Sequence, residues 1–277
     1  MTDATDATEA TTGPGGPDSD GPAGQGRITL EVTGHTAWVT IANPRKRNAM
    51  NAAMWRQVPE VIDAIVRDPE VRTVILTGAG GTFCAGADIS ELGSISSAEL
   101  SPAAERALID CPVPTIALIE GHCVGGGCQL AAACDIRIAG PDARFGITPA
   151  KLGIVYPPSS IQRITDIVGA SSAKLLLFTA DLVNAERAHE MRLIDEIHDN
   201  PRKRAESLAT TIAERSQLTV QASKELVDLA AHGEPLTDRA HHHRDLSTTT
   251  GESTEGINAF LERRPPNFPY RRPPSEA

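Results

Sequence analysis

The sequence predicts an α/β fold in which a strand, a glycine turn and a helix follow one another twice before the chain becomes helical. The first unit has its strand at residues 71–77 and its turn at 84–88 (CAGAD). The second has its strand at 114–119 and its turn at 121–129 (GHCVGGGCQ). Both strand segments are rich in β-branched residues and bounded by turn formers. From about residue 158 the apolar side chains recur at helical spacing, which indicates a helical C-terminal region.

The remaining elements follow from local patterns. Residues 28–41 alternate as in a hairpin around Gly34, and residues 49–67 carry apolar side chains at helical spacing. Pro59 predicts a kink or an early end of that helix, because proline cannot donate a backbone hydrogen bond. A further strand is expected at 136–139, after the second turn. Helices are expected at 159–168, 171–179, 185–191, 202–215, 218–232, 236–249 and 253–264.

Composition is typical of a globular enzyme of one or two domains, with 277 residues, 40% of them hydrophobic and 22% charged. The net charge of −10 argues against nucleic acid or an anionic membrane as a partner. The five cysteines are odd in number and lie mostly in apolar runs, so we expect reduced thiols. No metal site is expected, since Cys123 and Cys128 lack a second ligand pair at zinc spacing.

Three regions are predicted along the chain. Residues 1–26 consist largely of Thr, Gly, Pro and Asp, and a segment so poor in apolar side chains cannot offset the entropy of ordering, so we expect a disordered tail. The core is expected at 27–205 and the helical region at 206–277. No signal-peptide pattern or membrane-spanning apolar run is found in the sequence, so the expected location is the cytoplasm.

The two glycine turns also predict chemistry. Each turn precedes a helix, where the first backbone N–H groups are unpaired and the helix dipole favours negative charge. Two such turns that converge would form an oxyanion hole. The alternative is that the glycines only permit tight turns or close helix packing.

Four segments in order resemble the crotonase (enoyl-CoA hydratase/isomerase) superfamily. They are residues 43–49 (NPRKRNA), 85–88 (AGAD), 125–129 (GGGCQ) and 255–264 (EGINAFLERR), and the resemblance runs from about residue 27 to 270. It implies a spiral of ββα units with a C-terminal helical region and an acyl-CoA thioester as substrate. It further implies a stabilised enolate, no cofactor beyond the CoA that the substrate carries, and assembly as a homotrimer or hexamer.

The resemblance also implies which residues bind the substrate. It assigns the oxyanion-hole donors to the backbone N–H groups of Ala87 and Gly126. The family's CoA-binding positions are occupied by a basic pair, one residue of the first turn and two tail residues: Arg45, Lys46, Ala85, Phe260 and Arg263. The tail residues contact the nucleotide end, sometimes from a neighbouring subunit. For each charged residue taken singly, a solvated surface position is the alternative.

The sequence departs from the family's hydratases at the two proton-transfer positions. Those enzymes use two glutamates, and here the first position is Gln129 while the second is Pro149 or Ala150. None of these side chains can exchange a proton, and hydration needs a base for the water and an acid for the α-carbon. Hydration by the two-glutamate route is therefore disfavoured.

Residues 145–156 resemble the methylmalonyl-CoA decarboxylase branch of the superfamily instead, in which the tyrosine at the position of Tyr156 faces the substrate. Loss of CO₂ generates the enolate directly, without a base, and a nearby carboxylate would repel that of the substrate. Tyr156 and Gln129 are then expected to orient the leaving carboxylate by neutral hydrogen bonds. The branch has histidine at the position of Ala87 and an acid at that of Gln129, so the match is incomplete.

Three functions follow from these observations. The leading expectation is a lyase that decarboxylates a (methyl)malonyl-type CoA. The second is another crotonase reaction, namely hydration, isomerisation or thioester hydrolysis, with an acid or base not located in the sequence. The third is an acyl-CoA-binding pseudoenzyme. Tyr156 has a packed core position as its alternative. A structural role is expected for His122, with contact to the ligand or proton donation to the enolate as its alternative.

Overall fold

The computed structural model describes residues 26–273, and the predicted tail at 1–26 lies outside them except for Gly26. The strands are β1 Arg27–Thr33, β2 Thr36–Ala42, β3 Thr73–Gly78, β4 Thr115–Ile119, β5 His122–Val124, β6 Ile136–Ala139, β7 Arg144–Gly146, β8 Val183–Asn184 and β9 Glu196–Ile197. The helices are α1 Ala52–Arg67, α2 Leu92–Ser97, α3 Leu100–Ile109, α4 Gly126–Ala133, α5 Pro158–Thr179, α6 Ala185–Glu190, α7 Pro201–Ala213, α8 Gln217–Ala231, α9 Thr237–Thr249 and α10 Glu252–Glu262. The predicted α/β class is confirmed.

The strands form two sheets. The larger sheet has the order β1-β2-β3-β4-β6-β9, and only its β1–β2 hairpin is antiparallel. All five residues of β4 are buried, as is typical of parallel strands covered on both faces. Helix α7 covers one face, where Ala205 and Ala209 pack against Ile75, Ile116 and Leu118. The smaller sheet, β5-β7-β8, lies next to the second glycine turn.

The hairpin and helix α1 show how well local patterns predict this part of the fold. Gly34 lies in the turn between β1 and β2 with φ of 59°, as the alternation indicated. Helix α1 begins three residues later than expected, because the side chain of Asn51 accepts a hydrogen bond from the Met54 N–H and caps the helix. Of the two outcomes expected at Pro59, the early end of the helix is wrong, since α1 continues through it to Arg67 and is held by six buried side chains.

The helical predictions after residue 158 are confirmed, with boundaries within a few residues. The two helices expected at 159–168 and 171–179 are halves of α5, which breaks at Gly169, where φ is 77°. The predicted domain boundary at 205 falls inside α7, and this helix packs on the larger sheet as part of the core. In residues 26–273, no helix combines the length and apolar character needed to cross a membrane.

Candidate active site

The two glycine turns converge, because the segment after β3 pairs with β5. The Cys84 N–H donates to the His122 carbonyl at 2.8 Å, and the Val124 N–H donates to the Cys84 carbonyl at 2.9 Å. This pairing brings Ala87 of the first turn beside Gly126 of the second. A Cβ atom placed on Gly126 would lie 3.3 Å from the Ala87 nitrogen.

The N–H groups of Ala87 and Gly126 are both free to bind a ligand. On either side of Ala87, the Met50 N–H donates to the Gly86 carbonyl and the Asp88 N–H to the Met50 carbonyl, each at 2.8 Å. Within residues 26–273, neither Ala87 nor Gly126 donates its own N–H to a protein acceptor. Gly126 is the first residue of α4, where the helix dipole adds to the attraction for negative charge. Two unengaged N–H groups on neighbouring turns are the kind of donor that an oxyanion hole requires.

Close packing explains why the second turn consists of glycines. A Cβ atom on Gly126 would lie 2.8 Å from Cζ2 of the buried Trp55, and one on Gly127 would lie 2.5 Å from the Cys84 carbonyl oxygen. Any side chain at these positions would push the turns apart. The glycines therefore permit close packing, and this packing also brings the two N–H donors side by side. The structural and the chemical interpretation of the glycines are compatible.

A cavity of about 140 Å³ opens beside the two donors. We call it the acyl cavity, and its lining includes five of the predicted site residues: Ala85, Ala87, Gly126, Gln129 and Tyr156. The other lining residues are Trp55, Gly86, Ile89, Leu92, Ile95, Ser96, Ser101, Gly125, Thr148, Pro149, Leu152, Ile154, Val155 and Pro157. None of these lining side chains is charged, so the cavity wall offers hydrogen bonds without a carboxylate or a cation.

Tyr156 lines the acyl cavity, but its hydroxyl already has a partner. The Tyr156 O–H donates to the Gly125 carbonyl at 3.0 Å, and the side chain is 7% exposed. Burial raises the pKa of Tyr156 well above its usual value, so the phenol keeps its proton. To donate to a substrate carboxylate, as the sequence led us to expect, this hydroxyl would have to leave Gly125.

Gln129 contacts a buried carboxylate that the sequence analysis missed. Its Nε2 donates to Glu105 Oε2 at 3.2 Å, and the hydroxyls of Ser159 and Ser160 donate to the same oxygen at 3.0 Å each. Glu105 is 1% exposed, and its Oε1 has no partner among the described residues. It lies on α3, which was not predicted, although Leu100, Ala104 and Leu108 have the spacing of a buried helix face.

The basic pair lies on the loop that holds the first turn. The Arg47 carbonyl accepts a hydrogen bond from the Ala85 N–H at 3.0 Å. Lys46, about half exposed, forms an ion pair with Asp88 at 2.5 Å, and this hydrogen bond is the main cause of the lowered pKa of Asp88. Arg45 is exposed on the same loop. Neither basic residue lines the acyl cavity, so their expected contact with CoA phosphates stays a prediction.

The predicted tail residues lie elsewhere in the single chain. Phe260 is on α10 and 83% exposed, and Arg263 ends that helix with φ of 55°. Neither lines the acyl cavity. Their contact with the nucleotide end of CoA, and the trimer or hexamer that would bring a neighbouring copy close, stay predictions.

Other polar groups near the turns have structural partners. Asp135 accepts from both the N–H and the hydroxyl of Thr115 and pairs with Lys224 at 2.8 Å. All five cysteines are free and buried. In the described part of the chain, no three His, Cys, Asp or Glu side chains are grouped as ligands for a metal ion.

Comparison with known proteins places these features in context. The family profile described as enoyl-CoA hydratase/isomerase matches residues 31–271. The short-chain-enoyl-CoA hydratase of Clostridium acetobutylicum is 34% identical over 248 residues, which cover 86% of this chain and 95% of that protein. The crotonyl-CoA hydratase of Syntrophomonas wolfei is 34% identical over 257 residues, which cover 87% and 97%. A crystal structure of a putative family member from Hyphomonas neptunium aligns with a TM-score of 0.84 at 35% identity, covering 88% of this chain and 98% of that one.

Proposed function

The chain belongs to the enoyl-CoA hydratase/isomerase family, and from that premise we propose that it binds an acyl-CoA thioester with the carbonyl oxygen between the N–H groups of Ala87 and Gly126. The observation that carries the proposal is the pair of unengaged donors facing one cavity. Donors held in place before the reaction stabilise a developing oxyanion without further reorganisation. The proposed enzyme therefore acts through a thioester enolate.

We propose hydration or isomerisation of an enoyl-CoA as the reaction. In hydration, the oxygen of water bonds to Cβ and water gives up one proton, the double-bond electrons move towards the thioester oxygen to form the enolate, and one proton then adds to Cα. In isomerisation, a proton leaves Cα and a proton adds at Cγ. Both reactions pass through the enolate that two N–H groups would stabilise. Hydration fits the names of the similar proteins, and the description of the family covers both reactions.

Proton transfer in this cavity has to differ from the two-glutamate route. The lining side chains include no carboxylate, and Gln129 can orient a water molecule through its carbonyl oxygen but cannot take its proton. One catalytic acid or base typically contributes about 10²- to 10⁴-fold in rate. We therefore expect turnover on crotonyl-CoA to be slow.

Decarboxylation of a malonyl-type CoA is the second candidate, because an uncharged cavity favours a reaction that needs no base. The electrons of the breaking C–C bond would form the enolate, CO₂ would leave, and a proton would add to Cα. The names of the similar proteins lend it no support. The engaged hydroxyl of Tyr156 also weakens its proposed role in orienting the carboxylate.

One mass-spectrometric experiment separates these reactions. The purified protein is incubated with crotonyl-CoA, vinylacetyl-CoA and methylmalonyl-CoA, each at several protein concentrations. Gain of one water by crotonyl-CoA supports hydration, conversion of vinylacetyl-CoA into crotonyl-CoA supports isomerisation, and loss of CO₂ supports the second candidate. Calorimetry with acetyl-CoA provides the binding control, and lack of saturable binding at low salt would refute the proposed site.

A further inference from the structure

We propose that Glu105 is a positioning residue that fixes the amide of Gln129, so that the acyl cavity selects thioesters carrying a hydroxyl group over those carrying a carboxylate. This inference rests on the proposed function and names the substrate class for the same site. Its basis is the contact between a cavity-lining amide and a buried carboxylate, at 3.2 Å from Gln129 Nε2 to Glu105 Oε2.

The chemistry of the two groups determines which way the amide faces. A carboxylate oxygen that accepts from Ser159 and Ser160 must also face the donor end of Gln129, because reversing the amide would place two acceptors together with no proton between them. The amide nitrogen of Gln129 is thus directed to α3. Its carbonyl oxygen, Oε1, has no partner within residues 26–273 and is not sealed from solvent.

Gln129 lines the same cavity as the two residues that carry the proposed oxyanion donors. Gln129 follows Gly126 by three residues on α4, and residues at this spacing lie on one helix face. Both residues line the acyl cavity. A substrate held by Gly126 and Ala87 at its carbonyl oxygen would therefore have the Gln129 acceptor close to the acyl carbons that follow.

The neighbouring hydroxyl of Tyr156 reinforces this preference. Because its single proton is donated to the Gly125 carbonyl, Tyr156 can only accept from a ligand. Thr148, Ser96 and Ser101 also line the cavity, but a hydroxyl that can rotate serves as donor or acceptor and does not discriminate. A β-hydroxyl group on the acyl chain would find two acceptors here.

A substrate carboxylate meets the opposite situation. The lining residues provide no cation to pair with it, and the Glu105 carboxylate lies directly behind Gln129. Burying an unpaired carboxylate is unfavourable, and a like charge nearby adds repulsion. The cavity thus favours 3-hydroxyacyl thioesters and disfavours malonyl-type ones.

The test compares affinities for three thioesters that share the CoA portion: 3-hydroxybutyryl-CoA, butyryl-CoA and malonyl-CoA. Calorimetry of the wild type should show the hydroxylated ligand binding about threefold to tenfold more tightly than butyryl-CoA, which is the worth of one neutral hydrogen bond. Malonyl-CoA should bind more weakly than both. Free CoA provides the reference for the shared portion.

Variants of α3 and α5 separate positioning from mere packing. Glu105→Gln removes the carboxylate while keeping its shape, so the Gln129 amide can turn over. The ratio of 3-hydroxybutyryl-CoA affinity to butyryl-CoA affinity should then fall to about two or less. Ser159→Ala and Ser160→Ala are matched controls, since each removes a donor to the same Glu105 oxygen and leaves the Gln129 contact intact. They should lower stability without changing the ratio of affinities. If Glu105→Gln does not fold, Gln129→Met removes the acceptor itself and should abolish the same preference.

Several results would overturn the inference. Equal wild-type affinities for the three thioesters, or tighter binding of malonyl-CoA, would refute the selection for hydroxyl groups. A serine variant that changes the ratio as much as Glu105→Gln would show that packing, and not amide orientation, sets it. In both cases acetyl-CoA still binds, so the proposed function survives. Failure of acetyl-CoA and all three thioesters to bind would refute the proposed function together with the inference.

Discussion

Substitution of Gly126 by alanine tests the proposed oxyanion hole most directly, because the new methyl group would crowd the second turn against Trp55 and Ala87. The added Cβ would lie 2.8 Å from Trp55 Cζ2, 3.2 Å from Trp55 Cη2 and 3.3 Å from the Ala87 nitrogen. Trp55 is fully buried, so its ring has little room to withdraw. The methyl group must therefore shift α4, and with it the Gly126 N–H, relative to Trp55 and Ala87.

The two consequences of Gly126→Ala have separate magnitudes and separate assays. Overpacking of a core site costs about 1–3 kcal/mol of unfolding free energy, which denaturant unfolding measures. Loss of one oxyanion donor costs about 2.7–4 kcal/mol in the transition state, or 10²- to 10³-fold in kcat, which turnover of the reactive thioester measures. Free CoA lacks the thioester carbonyl and should bind nearly as well as to the wild type, whereas acetyl-CoA should lose affinity.

Gly93→Ala is the matched control for Gly126→Ala. Gly93 lies on α2, and a Cβ atom there meets no atom within 4 Å. Because alanine is the better helix former by about 0.8–1 kcal/mol, this variant should be as stable as the wild type or more stable, with unchanged turnover. Wild-type turnover and an unchanged ratio of acetyl-CoA to CoA affinity in folded Gly126→Ala would refute the assignment of the oxyanion hole.

The remaining predictions concern the polar groups around the turns. The lowered pKa of Asp88 means that its ion pair with Lys46 stabilises the fold fully above the unfolded-state value of about 3.9. The stability difference between wild type and Asp88→Asn should therefore shrink below that value and be lost as the pH falls through the lowered folded-state pKa of Asp88, and a constant difference in acid would contradict it. Tyr156→Phe removes one of the two donors to the Gly125 carbonyl, which keeps the Gln129 N–H, and should cost about 0.5–1.5 kcal/mol of unfolding free energy. CoA affinity measured alongside should stay unchanged, and a stability equal to wild type would show that the hydrogen bond is unimportant. Gln129→Glu places a second carboxylate within about 3 Å of Glu105, so one pKa of the pair should rise. The unfolding free energy of this variant should therefore increase as the pH falls from 8 to 5. Hydration of crotonyl-CoA should stay slow because only one acid is gained, and rapid hydration would refute this reasoning.

Local sequence patterns predicted the parts of the fold that local interactions determine. The strand at 136–139 is β6 itself, and the break in α5 at Gly169 falls between two separately predicted helices. Strands β8 and β9 were missed because each has two residues, too few for alternation to be recognised. The early end of α1 considered at Pro59 was wrong because burial of the α1 face outweighs the lost hydrogen bond.

In the candidate site, too, local features could be predicted from the sequence and contacts between distant residues could not. The convergence of the two glycine turns could be anticipated because each turn carries its signal within a few residues, and the assignment of the donors to Ala87 and Gly126, which the family resemblance supplied, stays a prediction. The partners of Gln129 and Tyr156 could not, since Glu105 is 24 residues from Gln129 and Gly125 is 31 residues from Tyr156 along the chain. Such pairings arise only when α3, α4 and the segment before α5 pack together.

The buried carboxylate of Glu105 explains why glutamine at position 129 suits this site, where the family's hydratases have glutamate. A glutamate at this position would lie within hydrogen-bonding distance of Glu105, with only the serine hydroxyls to compensate two like charges. An amide at position 129 satisfies Glu105 by donation and still offers an acceptor to the acyl cavity. The positive potential in the cavity then comes from the two N–H groups and the α4 dipole and favours negative charge at the thioester oxygen. The Glu105 carboxylate disfavours negative charge next to Gln129. Charge developing at the thioester oxygen, away from Glu105, is what an enolate requires.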